Sequence, residues 1–188
     1  MVYGREDRIV ARLHIGGWVR REGWENFDIL PAPHVDHIGD FRDLSAFPDG
    51  VLEAIYASHV LEHVGFRDVV PALKEWLRVL APYGIVMISV PNLEVLCRHF
   101  SDPRLTDSER SYLMQVMFGS QADKYDFHHT GFYPDLLAGM LALAGFTEIQ
   151  QVQNFGIFSD SSEHTFHGVP ISLNVTARKP GSSVEKIK

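Results

Sequence analysis

The sequence predicts an α/β fold with a single doubly wound, mostly parallel sheet of seven strands. Short apolar runs alternate with helical patterns along the chain, which is typical of βαβ units. One run, residues 85–90, is almost wholly apolar, as expected for a strand that is covered on both faces. With 188 residues, 45% of them hydrophobic, the chain is long enough for one domain with a substantial core.

Each predicted strand is an apolar run that ends near glycine, proline or a polar residue. The clearest helix follows the fourth strand, where apolar residues recur at three- and four-residue spacing from Val69 to Leu80, and Pro82 with Gly84 is expected to end it. Gly145 is expected to cap the last helix. The strands are predicted over residues 11–15, 27–30, 35–38, 54–58, 85–90, 146–152 and 171–177, and the later helices over 93–100, 107–118 and 134–144.

The first crossover departs from this alternation. Only residues 18–25 separate the first two strands, and Gly23 lies among them. That is too few residues for a helix with two loops, so either the first helix is reduced or the assignment of these strands is wrong. Polar loops that carry histidines and aromatic residues are predicted over 119–131 and 154–168. The second of these is either a lid or wall of a substrate site, or an oligomer contact.

Composition narrows the class of protein. The 24 acidic and 17 basic residues give a net charge of -7, which disfavours a nucleic-acid substrate. The single cysteine, Cys97, excludes an internal disulfide, and no run is long enough to span a bilayer. Residues 1–10 lack the pattern of a signal peptide. We therefore expect a cytoplasmic protein with one domain over residues 1–178 and a polar tail over 179–188.

Ligands of open α/β sheets bind outside the carboxyl ends of the strands. Glycine there lets the backbone approach a ligand, and an acid after the second strand can accept hydrogen bonds from ribose hydroxyls. Each of these signals is weak alone, because a Gly-Gly pair or an isolated Asp is also a common turn. The residues in question are Gly16, Gly17, Asp28, Asp40, Ser58, His59, Glu62 and His63.

Several segments carry a family resemblance. They include Leu-His-Ile-Gly-Gly at 13–17, Gly-Trp-Glu-Asn-Phe-Asp at 23–28, Val-Asp-His-Ile-Gly-Asp at 35–40, Ala-Ile-Tyr-Ala-Ser-His-Val-Leu-Glu-His-Val at 54–64 and His-His-Thr-Gly-Phe-Tyr at 128–133. The chain resembles a small class I S-adenosylmethionine-dependent methyltransferase of the methyltransferase-11 type, especially its shortened members. The resemblance covers nearly the whole chain. It implies a Rossmann-like fold, S-adenosylmethionine as cofactor, and methyl transfer to a small molecule or a saccharide.

The resemblance also implies roles for residues of this sequence. The turn at Gly16 and Gly17 would hold the methionine part of the cofactor, Asp28 would bind the ribose, and Asp40 would face the adenine amino group. Trp18 stands where the family usually has a third glycine. The cofactor-binding residues predicted in this way are Gly16, Gly17, Trp18, Asp28, Asp40, Phe41, Ser58 and His59.

Two departures from the family pattern leave an alternative open. Trp18 replaces a glycine, and His14 stands where the family often has an acid or Asn. The indole could fill or shield the cofactor pocket, and a histidine supplies no fixed negative charge. A catalytically inactive relative that acts as an interaction or regulatory subunit is therefore the second hypothesis. A nicotinamide-dependent oxidoreductase is disfavoured, because no Gly-x-Gly-x-x-Gly follows the first strand.

Histidines are the candidate catalytic residues. An imidazole could take the proton of an acceptor hydroxyl, and His63, His128 and His129 are the residues in question. The alternative for each residue is a structural role, in which the ring of a loop histidine hydrogen-bonds to a backbone carbonyl. His59 and His63 are four residues apart, as metal-ligand pairs are, but spacing marks no third ligand, so we expect no metal. The expected partner is a small molecule or saccharide, with a homodimer as a further option.

Overall fold

A computed structural model describes residues 11–181. The expectations for residues 1–10 and for most of the polar tail lie outside the described residues. One-turn 3-10 helices lie at Leu61–His63 and Ser161–Glu163. The other elements are β1 Ala11–Ile15, β2 Trp24–Asp28, β3 His37–Ile38, β4 Leu52–Ser58, α1 Phe66–Val79, β5 Leu80–Pro91, α2 Leu93–Phe100, α3 Asp107–Phe118, α4 Pro134–Ala144, β6 Thr147–Val152, β7 Thr165–Phe166, β8 Val169–Pro170 and β9 Ser172–Arg178.

The main sheet has seven strands in the order β3-β2-β1-β4-β5-β9-β6. All neighbours pair in parallel except β9, which runs antiparallel to both β5 and β6. The strand order reverses between β1 and β4, and this switch point opens a crevice at the carboxyl ends of the strands. The predicted doubly wound, mostly parallel sheet of seven strands is confirmed.

Two local predictions are wrong. The first helix is absent altogether, since residues 16–23 form only turns and loop before β2 begins at Trp24. The helix α1 also ends earlier than Pro82, because Leu80 is already extended and begins β5. Tyr83 takes a left-handed conformation with φ +63°, and Gly84 packs so tightly that a β-carbon would lie 2.8 Å from the carbonyl oxygen of Ala81. These residues shape the start of a strand, not the end of a helix.

One face of the sheet is covered by helices. Side chains of β1, β4, β5 and β9 that point to this face pack against α1 and α4 in the largest hydrophobic cluster. Trp76 of α1 is fully buried, and its indole N–H donates to the carbonyl oxygen of Phe41 at 2.9 Å. This bond fixes the loop after β3, which forms part of the crevice.

The opposite face is covered by a loop. Side chains that alternate with the first set, among them Tyr56 and Met87, pack against Phe155, Ile157 and Phe158. Phe158 is only 7% exposed, and its ring lies 4.8 Å from that of Tyr56. The segment after β6 therefore covers the surface of the sheet that the missing first helix leaves bare.

A third cluster lies between α2 and α3. Leu96 and Leu113 meet there with Phe166, which belongs to β7, and with Ile171, which follows β8. The aromatic residues of the 154–168 segment thus pack largely inside this chain, which does not favour the oligomer contact considered above. Among the described residues, no helix has both the length and the apolar character needed to cross a membrane.

Candidate active site

A cleft of about 1210 Å³ opens at the carboxyl ends of β1, β2 and β4. Its far wall comes from the loop after α3 and from the segment 158–164. It brings together ten of the eleven predicted site residues; only Gly17 does not line it. The predicted residues along its wall are Gly16, Trp18, Asp28, Asp40, Phe41, Ser58, His59, His63, His128 and His129.

The turn after β1 requires glycine for steric reasons. Gly16 has φ +72°, and a β-carbon there would lie 2.6 Å from Cγ2 of Val60. A β-carbon on Gly17 would clash with the side-chain oxygen of Asn26. Gly17 is buried behind the turn, so it shapes the cleft without lining it. The backbone of Gly16 is free to approach a ligand closely.

Asp28 ends β2 at the rim of the cleft. Its Oδ1 accepts a hydrogen bond of 2.8 Å from the backbone N–H of Leu30, which orients the carboxylate. An oriented carboxylate at the end of the second strand matches the position from which ribose hydroxyls are bound in doubly wound folds.

Asp40 is engaged by its neighbour Arg42. The Arg42 Nε lies 2.9 Å from Oδ1 and 3.0 Å from Oδ2, and the Arg42 backbone N–H donates to Oδ1 at 2.9 Å. The guanidinium holds the pKa of Asp40 below its ordinary value. A contact between Asp40 and an adenine amino group would compete with this ion pair. Phe41 lines the cleft beside it and packs edge-on against Trp76, with 5.8 Å between ring centroids.

Asp160 links the covering loop to β4. Its Oδ2 accepts from the Tyr56 hydroxyl at 2.8 Å, and its Oδ1 accepts from the Ser58 hydroxyl at 3.1 Å. Oδ1 also accepts from the backbone N–H of Ser162 at 2.8 Å. Burial and this carboxylate raise the pKa of Tyr56 well above its ordinary range. Ser58 therefore faces the cleft with a fixed hydroxyl.

Trp18 and His14 do not block the cleft. The Trp18 side chain lies at the rim, stacked on His34 with 6.2 Å between centroids, and is 81% exposed. His14 is buried between Tyr56 and Phe158, with 4.1 Å from its ring centroid to that of Phe158. Burial lowers the pKa of His14 to about 4, so the ring is neutral near pH 7.

His59 follows β4 in a strained conformation. Its φ of +54° is unusual for a residue with a β-carbon, and such strain is common at functional sites. Its Nε2 lies 3.0 Å from the Ser172 hydroxyl, and burial lowers the pKa of the ring to about 3. Its Nδ1 lies 3.4 Å from Oε1 of Glu62, which belongs to the one-turn helix that follows.

Glu62 is the most deeply buried acid of the site. It is 1% exposed, and neither carboxyl oxygen has a hydrogen-bond partner among the described residues. Burial raises its pKa to about 8. Glu62 is therefore not a solvated residue of a turn, as an acid after a strand commonly is.

Two of the three candidate catalytic histidines turn towards Glu62. The rings of His63 and His128 lie 4.8 Å apart, and burial lowers the pKa of both, that of His128 to about 4. His129 is more exposed and lines the cleft, and its ring stacks on that of Phe127 with 6.3 Å between centroids. The structure thus separates a half-buried pair, His63 and His128, from the exposed imidazole of His129.

Sequence reasoning missed two residues of the site. Asp160 and Arg42 carry no motif, and their roles depend on contacts with Tyr56 and Asp40 that only the fold shows. The Asp-x-Arg spacing of residues 40–42, repeated at 102–104 with the same ion pair, is the one local signal that could have indicated the Arg42 contact.

Comparisons with known proteins bear on the fold of the chain. A family model described as a methyltransferase domain matches residues 26–88, which run from β2 into β5 and include Asp28, Asp40 and His59. Among solved structures, an S-adenosylmethionine-dependent methyltransferase from Archaeoglobus fulgidus has a TM-score of 0.59 at 15% identity, covering 90% of this chain and 86% of its own. The chain has the class I methyltransferase fold. The predicted fold is confirmed by these matches, and S-adenosylmethionine is named as the cofactor of the matched Archaeoglobus protein.

Two larger structures show the same fold. CurJ carbon methyltransferase matches with a TM-score of 0.56 at 15% identity, covering 93% of this chain and 49% of its own. Human N-acetylserotonin methyltransferase in complex with S-adenosylmethionine matches with a TM-score of 0.53 at 14% identity, covering 90% and 47%. The chain therefore spans about half the length of these two proteins. No protein of curated function matches the sequence.

Proposed function

We propose that this protein transfers a methyl group from S-adenosylmethionine to a small-molecule or saccharide acceptor. The observation that carries the proposal is the single cleft wall formed by Gly16, Asp28 and Ser58, at the switch point of a class I methyltransferase sheet. These residues come from the ends of three different strands, β1, β2 and β4. Their order around the crevice is the one expected for a ligand with an amino acid end and a ribose.

In this placement the methionine portion of the cofactor lies against the Gly16 turn, with Ser58 and His59 beside it. Asp28 accepts from the ribose hydroxyls, and Phe41 lies beside the adenine. The sulfonium then faces the wall that carries His63, His128 and His129. Methyl transfer needs the acceptor, the methyl carbon and the sulfur in line with water excluded, so a shaped cleft supplies most of the catalysis.

The reaction is a displacement at the methyl carbon. The acceptor atom forms a bond to that carbon while the carbon–sulfur bond breaks, and the electron pair returns to sulfur to give S-adenosylhomocysteine. For a hydroxyl acceptor, the proton goes to a base. Of the three candidate histidines, His129 is the best placed for that role, because His63 and His128 turn towards Glu62.

The acceptor enters from the side of the loop after α3. That wall offers hydroxyl, carboxylate and ammonium groups on Ser120, Asp123, Lys124 and Tyr125. A mixed polar wall on a chain of net charge -7 suits a hydroxyl-rich small molecule or saccharide better than a polynucleotide. A cytoplasmic location and a homodimer stay predictions from the sequence, the homodimer without the loop contact first considered for it.

An acceptor screen tests the proposal. The purified chain is incubated with methyl-tritiated S-adenosylmethionine and panels of hydroxylated metabolites, nucleotide-activated sugars and structured RNA, and label transfer is measured alongside formation of S-adenosylhomocysteine. The expected result is transfer to a member of the first two panels, lost in the Asp28→Ala variant. Transfer to RNA alone would contradict the acceptor class.

The second hypothesis, a catalytically inactive relative whose cofactor pocket is filled by Trp18, gains no support. The indole lies at the rim and leaves the cleft open. Trp18→Gly separates the two hypotheses. If the indole does not obstruct the site, the variant does not bind S-adenosylmethionine more tightly than the wild type. Binding by the variant together with no binding by the wild type would favour the alternative.

A further inference from the structure

The carboxyl group of Glu62 is buried without a partner. It is 1% exposed, and among residues 11–181 neither oxygen finds a hydrogen-bond donor. A buried carboxyl normally pairs with a cation or accepts several hydrogen bonds, because burial without compensation is costly. The backbone around it is rigid, since the carbonyl oxygen of Glu62 accepts from the N–H groups of His129 and Thr130 at 2.8 and 3.2 Å.

The neighbouring histidine presents a lone pair to this carboxyl. The Ser172 hydroxyl donates to the carbonyl oxygen of Ser161 at 2.6 Å, so its hydrogen is already used. His59 Nε2, 3.0 Å from that hydroxyl, must therefore be the donor, which leaves Nδ1 unprotonated. This Nδ1 lies 3.4 Å from Oε1 of Glu62. When the carboxyl is ionised, two acceptors face each other there, and such a pair is stabilised either by a proton on the carboxyl or by a bound cation.

Two further imidazoles complete the surroundings of the carboxyl. One ring nitrogen each of His63 and His128 and one oxygen of Glu62 all lie within 4.8 Å of one another. His63 Nδ1 donates to the carbonyl oxygen of Phe127 at 3.2 Å, which leaves its Nε2 free. A ligating histidine typically donates its other N–H to a carbonyl in this way, which fixes the ring and its tautomer. Among the described residues, the buried Nδ1 of His128 has no partner.

We infer that Glu62, His63 and His128 form a binding site for a divalent transition-metal ion of the zinc type. Two imidazoles and one carboxylate are a donor set that zinc accepts, with a fourth position left for water or substrate. Tetrahedral bonds of about 2.1 Å place donor atoms roughly 3.4 Å apart, so the three side chains need only small rotations to close on the ion. Spacing could not reveal this site, because His128 lies 65 residues after His63 in the chain.

The site opens into the cleft. His63 and His128 line its wall, while Glu62 lies behind them. An ion here would present its open position to the acceptor side of the proposed methyl-transfer site. An acceptor hydroxyl bound to such an ion loses its proton more readily. The binding itself does not depend on the proposed function; only this consequence for the acceptor does.

The test uses the full chain without an affinity tag, after chelator treatment and in the absence of S-adenosylmethionine. Zinc is titrated by calorimetry, and cobalt by the visible absorption that a low-symmetry site of nitrogen and oxygen ligands produces. The expected result is one ion per chain, with binding weakened about 100-fold or more in Glu62→Gln and in His128→Asn. Circular dichroism of each variant checks its fold.

A matched control comes from the surface. His167 and Glu109 form an exposed pair, with 2.7 Å between Nε2 and Oε1. The His167→Asn substitution removes this pair, and asparagine is suitable because it tolerates the positive φ of that position. This variant is expected to bind zinc like the wild type. Absence of binding by the wild type, or loss of binding in the control instead of in Glu62→Gln, would overturn the inference. Binding of S-adenosylmethionine is measured by calorimetry on the same samples. A failure to bind zinc can then be distinguished from a failure of the proposed methyltransferase function.

Discussion

The Tyr56 hydroxyl donates to Oδ2 of Asp160 at 2.8 Å, across 104 residues of sequence. This bond fastens the loop that replaces the missing first helix to the central strand of the sheet. Because the Ser58 hydroxyl donates to the same carboxylate at 3.1 Å, the bond also connects the loop to the wall of the cleft.

The Asp160 contact therefore predicts a stability effect. The Asp160→Asn substitution keeps the size of the side chain but replaces one accepting oxygen with an NH₂ group. Because the hydroxyls of Tyr56 and Ser58 both donate to this side chain, one of them then faces a donor, and we expect a loss of about 1–3 kcal/mol in the free energy of unfolding. Urea denaturation measures it. Ser159→Ala, at the neighbouring exposed residue, is the control and should change stability by less than about 0.5 kcal/mol. Equal stability of the two variants would show that Asp160 does not hold the loop.

Gly16 offers a steric test of the turn after β1. Gly16→Ala combines an unfavourable φ of +72° with a contact of 2.6 Å to Val60. Gly23→Ala is matched to it, since Gly23 has φ +79° and no neighbour within 4 Å. We expect Gly23→Ala to cost about 1 kcal/mol for backbone strain alone and Gly16→Ala to cost about 1–3 kcal/mol more. Thermal and urea unfolding give both values, and indistinguishable costs would refute the close packing of the turn.

The Asp40–Arg42 pair predicts opposite effects of two substitutions on cofactor binding. If Asp40 contacts adenine, Asp40→Ala weakens binding of S-adenosylmethionine about tenfold. Arg42→Ala frees the carboxylate and removes an exposed ion pair worth only about 0–1 kcal/mol, so binding is unchanged or tighter. Calorimetry compares them. Equal weakening by both would mean that the ion pair only shapes the loop.

His14 predicts a pH dependence of stability. Burial lowers its pKa from the ordinary 6.5, which the unfolded chain retains, to about 4 in the folded chain, so the unfolded chain binds a proton first as pH falls. The stabilisation from its neutral, buried ring is fully present above pH 6.5 and is lost as pH falls towards 4. The difference between the two pKa values corresponds to at most about 3 kcal/mol. His14→Phe should flatten the unfolding free energy over this pH range relative to the wild type, and an unchanged slope would exclude His14 as the cause.

Local signals predicted much of the fold. The bounds of α2, α3 and α4 depend on capping residues at the ends of these helices. At the start of α2, Asn92 accepts from the N–H of Val95, and at the start of α3, Thr106 and Glu109 form a reciprocal cap. Gly145 ends α4 with φ +106°. These interactions span three or four residues, so the sequence displays them directly.

Long-range contacts account for what was missed. His128, which approaches Glu62 to 3.9 Å, and Tyr56, which donates to Asp160, lie far away along the chain from those acids, and no spacing rule connects them. The complete absence of the first helix was not predicted, because the residues that cover that face of the sheet instead, 155–158, come from a distant part of the chain. All of the predicted cofactor residues except Gly17 line one cleft, since strand ends of a parallel sheet share an edge.

The most direct test of the central claim is calorimetric titration of the wild type and Asp28→Ala with S-adenosylmethionine and S-adenosylhomocysteine. We predict that the wild type binds one molecule of either, and that Asp28→Ala binds about 10- to 100-fold more weakly through loss of a charged hydrogen bond. No heat of binding from the wild type at millimolar ligand, for either compound, would contradict the assignment of this cleft to the cofactor.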